Sequence, residues 1–213
     1  MSKPPNPSVS TIKMPKQARS TALVEAVLEA AVQVLRAEGA ARFTTARVAE
    51  RAGVSVGSIY QYFPNKASIL FRLQSDEWRT TSELLRGILE DSTLAVPERL
   101  RALVHAFIRS ECDEAQVRLA LNDAAPLYRD APEAEVARAD GSVPFHQFIR
   151  SALPDADEAT CELTADLLET TLTEVGRSFS EVTRSEAEIV AYSDAMANMF
   201  CAYLGTLEGR VEA

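Results

Sequence analysis

The sequence predicts an all-α protein, with a three-helix helix-turn-helix unit at the N-terminal end and a larger helical region after it. Three observations carry that prediction. Apolar residues recur every three or four positions through most of the 213 residues, the spacing of one face of an α-helix. Helix-starting and helix-stopping residues punctuate those stretches. No alternating strand pattern and no repeat of 20–50 residues competes with them.

The first helix is expected from about Gln17 to Ala37. Leu23, Ala26, Val27, Ala30, Ala31, Val34 and Leu35 make its apolar stripe, and Gly39 stops it. The stretch Phe43–Lys66 follows, FTTARVAERAGVSVGSIYQYFPNK. Thr44 and Thr45 offer hydroxyls where the first backbone N–H groups of a helix lack partners. Val48, Ala49 and Ala52 form a small apolar face, and Gly53 ends the helix because glycine accepts a left-handed conformation at little cost. Val54 is the expected buried residue of the turn. Ser55 can cap the next helix, whose Ile59 and Phe63 lie one turn apart and face inward, and Pro64 ends it. Ala49, the turn at Gly53 and the anchor at Ile59 together fit a helix-turn-helix. Its outward residues, Ser55, Val56, Gly57, Ser58, Tyr60, Gln61 and Tyr62, are small or hydrogen-bonding and carry no negative charge.

This stretch resembles the DNA-binding domain of the tetracycline-repressor-like family of bacterial regulators. The resemblance runs from the first helix through Thr44–Thr45 and Val48–Ala49 to GVSVGSIYQYFPNK at 53–66, about the first third of the chain. It implies that Thr44, Thr45, Tyr60, Tyr62 and Lys66 contact phosphates of an operator in double-stranded DNA, with Ser55 at the start of the same helix. It implies that Arg47, Val56, Gly57, Ser58 and Gln61 read bases; Gln61 can pair bidentately with adenine and Val56 can meet a thymine methyl. Ala46 departs from that pattern, because its methyl cannot reach a base.

Charge agrees with this division. The chain carries −9 overall, yet residues 1–66 carry +5 and the remainder −14. A basic end and an acidic remainder suit a protein that meets DNA at one end only. Residues 1–16 form a Pro-containing, expectedly disordered arm with Lys3, Lys13 and Lys16 and no acid. It reads first as a solvated tail and, alternatively, as an arm that tracks phosphates. It contains no apolar leader segment, and no run of about 18 apolar residues occurs anywhere, so neither secretion nor a membrane span is expected and a cytoplasmic protein is.

Beyond residue 66 the elements follow in order. Asn65 caps a long helix to about Asp91, bearing Leu70, Leu73, Glu77, Trp78, Thr81, Leu84, Leu85, Ile88 and Leu89 on one face. Pro97 opens a fifth helix with Leu100, Leu103, Val104, Phe107 and Ile108 buried. A sixth covers about 114–124, and a break is expected near Pro126. A seventh, about 132–152, is expected to be interrupted at Gly141–Pro144. Asp155 with Glu158, and Ser185 with Glu188, mark the starts of the last two helices. Both carry apolar residues on more than one face, which suits either ordinary core or the four-helix interface of a homodimer, and the family resemblance favours the dimer.

The resemblance further implies a 17–66 DNA-binding domain and a 67–213 domain for dimerisation and ligand binding, in a repressor released by a small-molecule effector. Trp78, His105, Phe107, Cys112, Tyr128 and Phe179, with Phe145 and His146, are the candidates to line the effector site. Glu77, Glu111, Asp113 and Glu114 suit a cationic ligand or simply a solvated surface. Two alternatives stay open: a regulator answering to a protein or a thiol signal, and a ligand-binding protein with an idle DNA head. The dispersed Cys112, Cys161 and Cys201 read as free buried thiols or as a redox switch. Two separated histidines, and no nucleophile elbow or phosphate-cradling loop, argue against an enzyme, a cofactor or a metal.

Overall fold

Every described element of the computed structural model is helical; it describes residue 9 and residues 18–211, with the side chains of 18–19, 138–141 and 209–211 left aside. The helices are α1 (Ala18–Glu38), α2 (Thr45–Ala52), α3 (Val56–Tyr60), α4 (Lys66–Leu89), α5 (Val96–Asp113), α6 (Ala115–Ala124), α7 (Pro132–Ala152), α8 (Glu158–Ser180) and α9 (Glu186–Val211). Short 3-10 turns occupy Ala40–Arg42 and Ala125–Leu127. Among the described residues no helix is long and apolar enough to cross a membrane.

The local signals explain most ends. Gly39 and Gly53 hold φ of 72° and 66°, a region that favours glycine. Thr44 accepts the Arg47 N–H, Ser55 the Ser58 N–H, and Asn65 Oδ1 the Ser68 N–H, so α2, α3 and α4 each begin on a side-chain cap. Two expectations need correction. The cap of α8 is Asp157, which accepts from Thr160 N–H at 2.7 Å, and Asp155 has no part in it. The start of α9 is as expected, with Ser185 and Glu188 bonded reciprocally. α7 runs unbroken through Pro144. An internal proline removes one backbone hydrogen bond and costs roughly 3 kcal/mol. Phe145, Phe148 and Ile149, all buried immediately after it, supply the packing that offsets this loss.

The chain forms two compact units. The first contains residues up to Trp78 together with 116–138. Phe43, Ile59, Phe63, Ile69 and Leu35 fill its core, and Leu121, Ala124, Tyr128 and Ala131 from the later segment belong to the same cluster. Val54, expected to be buried, is only partly so and packs against this cluster. Residues 1–16, the expected arm, lie outside the described residues except for Val9, which is 2% exposed within this core. A buried polar bridge holds 116–138 in place. Arg118 and Glu77 meet at 2.6 Å with each side chain 12% exposed, and Tyr128 donates its hydroxyl to the Leu121 carbonyl at 3.0 Å and to Gln74 at 3.4 Å. Burial, and then the nearby Glu77, push the Tyr128 phenol far above its ordinary value, so it remains a donor.

The second unit contains residues 79–115 and 139–213. Here α5 packs against both α8 and α9, around a core of Leu100, Leu103, Ile108, Ile149 and Phe200. Gly176 permits close contact of α8 with α5: a Cβ there would stand 3.0 Å from the Phe107 ring.

Candidate nucleic-acid interface and effector cavity

The helix-turn-helix is built by short-range bonds. The Gly53 N–H closes on the Glu50 carbonyl and the Val54 N–H on Ala49, which ends α2 and turns the chain. Ala49 is 2% exposed and Ile59 fully buried, so α2 and α3 cross closely and α3 is anchored from one side. Its opposite side holds exposed Ser55, Val56, Gly57, Tyr60 and Gln61, with Ser58 half-buried. Tyr60 is 48% exposed, unusual for a ring at the end of a packed helix. No acidic residue occurs between Glu50 and Asp76, while Arg51, Lys66 and Arg72 do. Lys66, exposed, opens α4, where unpaired helix N–H groups add to its positive field.

Three expected contact residues stand elsewhere. Tyr62, expected on the outward face, is 8% exposed and belongs to the core. The reason is spacing: Tyr62 lies three residues after the buried Ile59 and one before the buried Phe63, and the N–H groups of Tyr62 and Phe63 both bond to Ile59 O at 2.9 Å. Thr45 is likewise buried at 8%, leaving the exposed hydroxyl of Thr44 at the start of α2. Arg47 is turned from the α3 face: its guanidinium pairs with Glu38 and donates to the Arg42 carbonyl at 3.0 Å. That contact ties α2 to the end of α1.

Gly57 stands in helical conformation with no steric need for glycine. A Cβ built on it would meet nothing nearer than Ser55 Oγ at 3.8 Å. Within the chain, alanine would fit and would favour the helix by about 0.5–1 kcal/mol. Nothing in its surroundings within the chain asks for glycine at this exposed position.

The expected effector residues are not gathered in one place. Trp78 and Tyr128 belong to the first unit. His105 faces Asp194 at 2.9 Å, Phe179 stacks on Tyr192 with ring centroids 4.0 Å apart, and Cys112 is half-buried. Phe107, with Phe145, lines a cavity of about 60 Å³ wholly inside the second unit. Leu85, Leu89, Leu103, Pro144 and Leu172 make the rest of its apolar wall; Ser82, Thr173 and Glu169 are polar. Sequence reading passed over Glu169. The available signal was its position directly after the buried Leu168 and three before Leu172, at the edge of an apolar stripe. Of the acids expected to suit a cation, Glu77 is committed to Arg118 and Gln74 in the first unit. Burial pushes the thiols of Cys112 and Cys161 up, which lowers the reactive thiolate fraction of both. Among the described residues no group of three or more His, Cys, Asp or Glu side chains is placed to hold a metal ion.

Comparison with known proteins gives two family matches, one in each part of the sequence. The family described as "Tetracyclin repressor-like, C-terminal domain" matches residues 95–207. The one described as "Bacterial regulatory proteins, tetR family" matches residues 27–73. The nucleoid occlusion factor SlmA of Vibrio campbellii is 34% identical over 85 residues, 39% of this chain and 43% of that protein. The chain thus spans less than half the length of the curated relatives it matches. Among solved structures, the fatty acid degradation regulator FadR of Bacillus halodurans is similar with a TM-score of 0.66 at 19% identity, over 91% of this chain and 98% of that one. FadR of Bacillus subtilis, solved in complex with stearoyl-CoA, gives 0.62 at 18% identity, over 83% and 96%. At these identities the structural likeness concerns the fold.

Proposed function

The chain belongs to the tetracycline-repressor-like family of DNA-binding transcriptional regulators, which are not enzymes, and from that premise we propose that it is a homodimeric repressor released from its operator by a small molecule bound in the second unit. Each protomer lays the exposed face of α3 in a major groove, with half-sites about one helical turn, ~34–36 Å, or a multiple of it apart. Thr44, Tyr60 and Lys66 hold phosphates; Val56, Gly57, Ser58 and Gln61 face bases. Arg47, committed to Glu38 and Arg42, positions α2 instead. Tyr62 and Thr45 serve from the core, where they set the aim of α3 and α2.

The single observation that carries this reading is Gly57, a residue whose missing side chain serves no neighbour within the chain and opens the outer face of α3 to close approach. Dimerisation through α8 and α9 is supported by the apolar groups left exposed there. Leu163 is 65% and Leu167 47% exposed one turn apart on α8. Ala195, Met199 and Ala202 share an exposed face of α9 at spacings of four and three. Such surface is unusual on a monomer. A thiol signal is less favoured, because burial holds Cys112 and Cys161 as thiols.

The effector acts by binding one of two conformations of the dimer more tightly, the other being the one whose heads match the half-sites. The test is operator binding by the purified protein over a salt series. Lys66→Ala is expected to weaken binding to all sequences and to reduce the salt slope by about one, while Gln61→Ala shifts base preference at one position. If both variants bind every sequence as the parent does, the assignment of α3 to the groove is overturned.

A further inference from the structure

We propose that the cavity of the second unit selects a small apolar molecule bearing a protonated amine, and that Glu169 is the residue that recognises it; this rests on the effector-controlled reading above. The cavity wall is hydrocarbon from Leu85, Leu89, Leu103, Phe107, Phe145 and Leu172. Among the residues that line it, Glu169 is the one ionisable group. No lysine, arginine or histidine of the lining is present to receive a carboxylate or phosphate.

The Glu169 carboxylate is held in place by α7. Ser142 donates its hydroxyl to Oε1 at 2.8 Å, and His146 Nε2 lies 3.6 Å from Oε2. His146 also lies 3.5 Å from Asp166. Two acidic side chains therefore stand beside one imidazole, so acids outnumber bases at that wall. An anionic ligand meets repulsion at that wall. A neutral hydroxyl forms an ordinary hydrogen bond, and an ammonium a charge-assisted one, shorter and stronger.

The space itself limits the hydrocarbon part. At about 60 Å³ it is smaller than the ~150 Å³ cavity known to hold benzene. A long acyl chain does not fit, and a compact aliphatic ring enters only with a shift of Phe107 or Phe145. The Phe107 ring packs close to Gly176 of α8, so a shift of that ring alters the contact of α5 with α8. That is where occupancy could bias one conformation over another.

The experiment uses the full-length dimer and three isosteric probes: cyclopentylamine, cyclopentanol and cyclopentanecarboxylate. Binding is measured by ligand-observed NMR, and operator affinity by fluorescence anisotropy with each probe present. Cyclopentylamine is expected to bind most tightly. Glu169→Gln is expected to weaken it at least tenfold while leaving cyclopentanol within twofold, and Glu169→Asp, which keeps the charge on a shorter arm, to recover part of the loss. The cyclopentanol arm shows that the cavity of Glu169→Gln is intact. Equal or tighter binding of the carboxylate, unchanged amine affinity in Glu169→Gln, or no binding of any probe overturns the proposal. The two readings separate cleanly. If the carboxylate binds and releases DNA, the effector reading stands and the amine class falls. If the amine binds through Glu169 and operator affinity does not move, the ligand class stands and the effector reading falls.

Discussion

The outer face of α3 and the cavity of the second unit are assembled in opposite ways. The face is drawn from one stretch of 24 residues, and its geometry follows from caps, a left-handed glycine and two inward anchors, with each bond spanning no more than five residues. The cavity draws on α4, α5, α7 and α8, from Ser82 to Thr173. Its one ionisable group is oriented by Ser142, 27 positions away. A locally encoded surface tolerates change in the rest of the chain, so its shape can be kept while the cavity varies. The cavity has no such insulation, since each wall belongs to a helix that also builds the core.

The comparison breaks most readily where the first unit depends on a distant segment. Arg118 and Glu77 form a buried pair across about forty residues of sequence. Arg118→Ala or Glu77→Ala leaves one charge without its buried partner and is expected to destabilise by about 3–5 kcal/mol, whereas the double change to Met and Leu recovers most of it. Thermal unfolding of the single and double variants measures this directly. A loss in the double variant equal to the sum of the two single losses would show that the pair is not coupled.

Next in size is the turn. Gly53 at φ 66° has open space where a side chain would project, so Gly53→Ala meets backbone strain alone. The expected loss is roughly 1–2 kcal/mol, read as a lower denaturation midpoint without a change in the denaturant slope. Gly57→Ala should do the reverse in the unbound protein, stabilising α3 by about 0.5–1 kcal/mol, and should weaken operator binding about tenfold, equivalent to ~1.4 kcal/mol. A gain in stability with unchanged DNA affinity would remove the reason offered for glycine at that position.

The smallest effect is a pH dependence in the second unit. The carboxyl of Asp157 is held below its ordinary range by the hydrogen bonds it accepts from Thr160, and that of Glu188 by those from Ser185. A carboxyl lowered by folding adds stability above its unfolded pKa of about 4, and that increment is lost as pH falls through the folded value. Asp157→Asn keeps a cap of similar strength and should flatten the acid limb of the stability profile while leaving neutral stability nearly unchanged.

Much of the first unit could be read in advance because its signals are short-range. Thr44, Gly53, Ser55, Ile59 and Asn65 act on neighbours in sequence, and each does what its chemistry dictates. Where that reading failed, distance was the cause, except at Tyr62. Tyr62 stands three residues after the inward Ile59 and one before the inward Phe63, and the expectation of an outward ring gives that spacing too little weight. Arg47 looks like a free cation until Glu38 and the Arg42 carbonyl are brought to it. Of the aromatics chosen for an effector site, Phe107 and Phe145 line the cavity and Phe179 pairs with Tyr192 instead, a choice periodicity cannot make.

By itself, then, the sequence determined the helical class, the helix-turn-helix with its outward face, the charge asymmetry and the family. Each of these depends on composition or on bonds spanning a few residues. Only the tertiary structure decided that 116–138 packs with the N-terminal helices, that Pro144 stays within α7, and that Glu169 stands at the edge of a small apolar cavity. These outcomes depend on which apolar faces meet. Burial free energy is non-directional, so a stripe of leucines specifies that a face will be covered and leaves its partner to the packing of the whole chain.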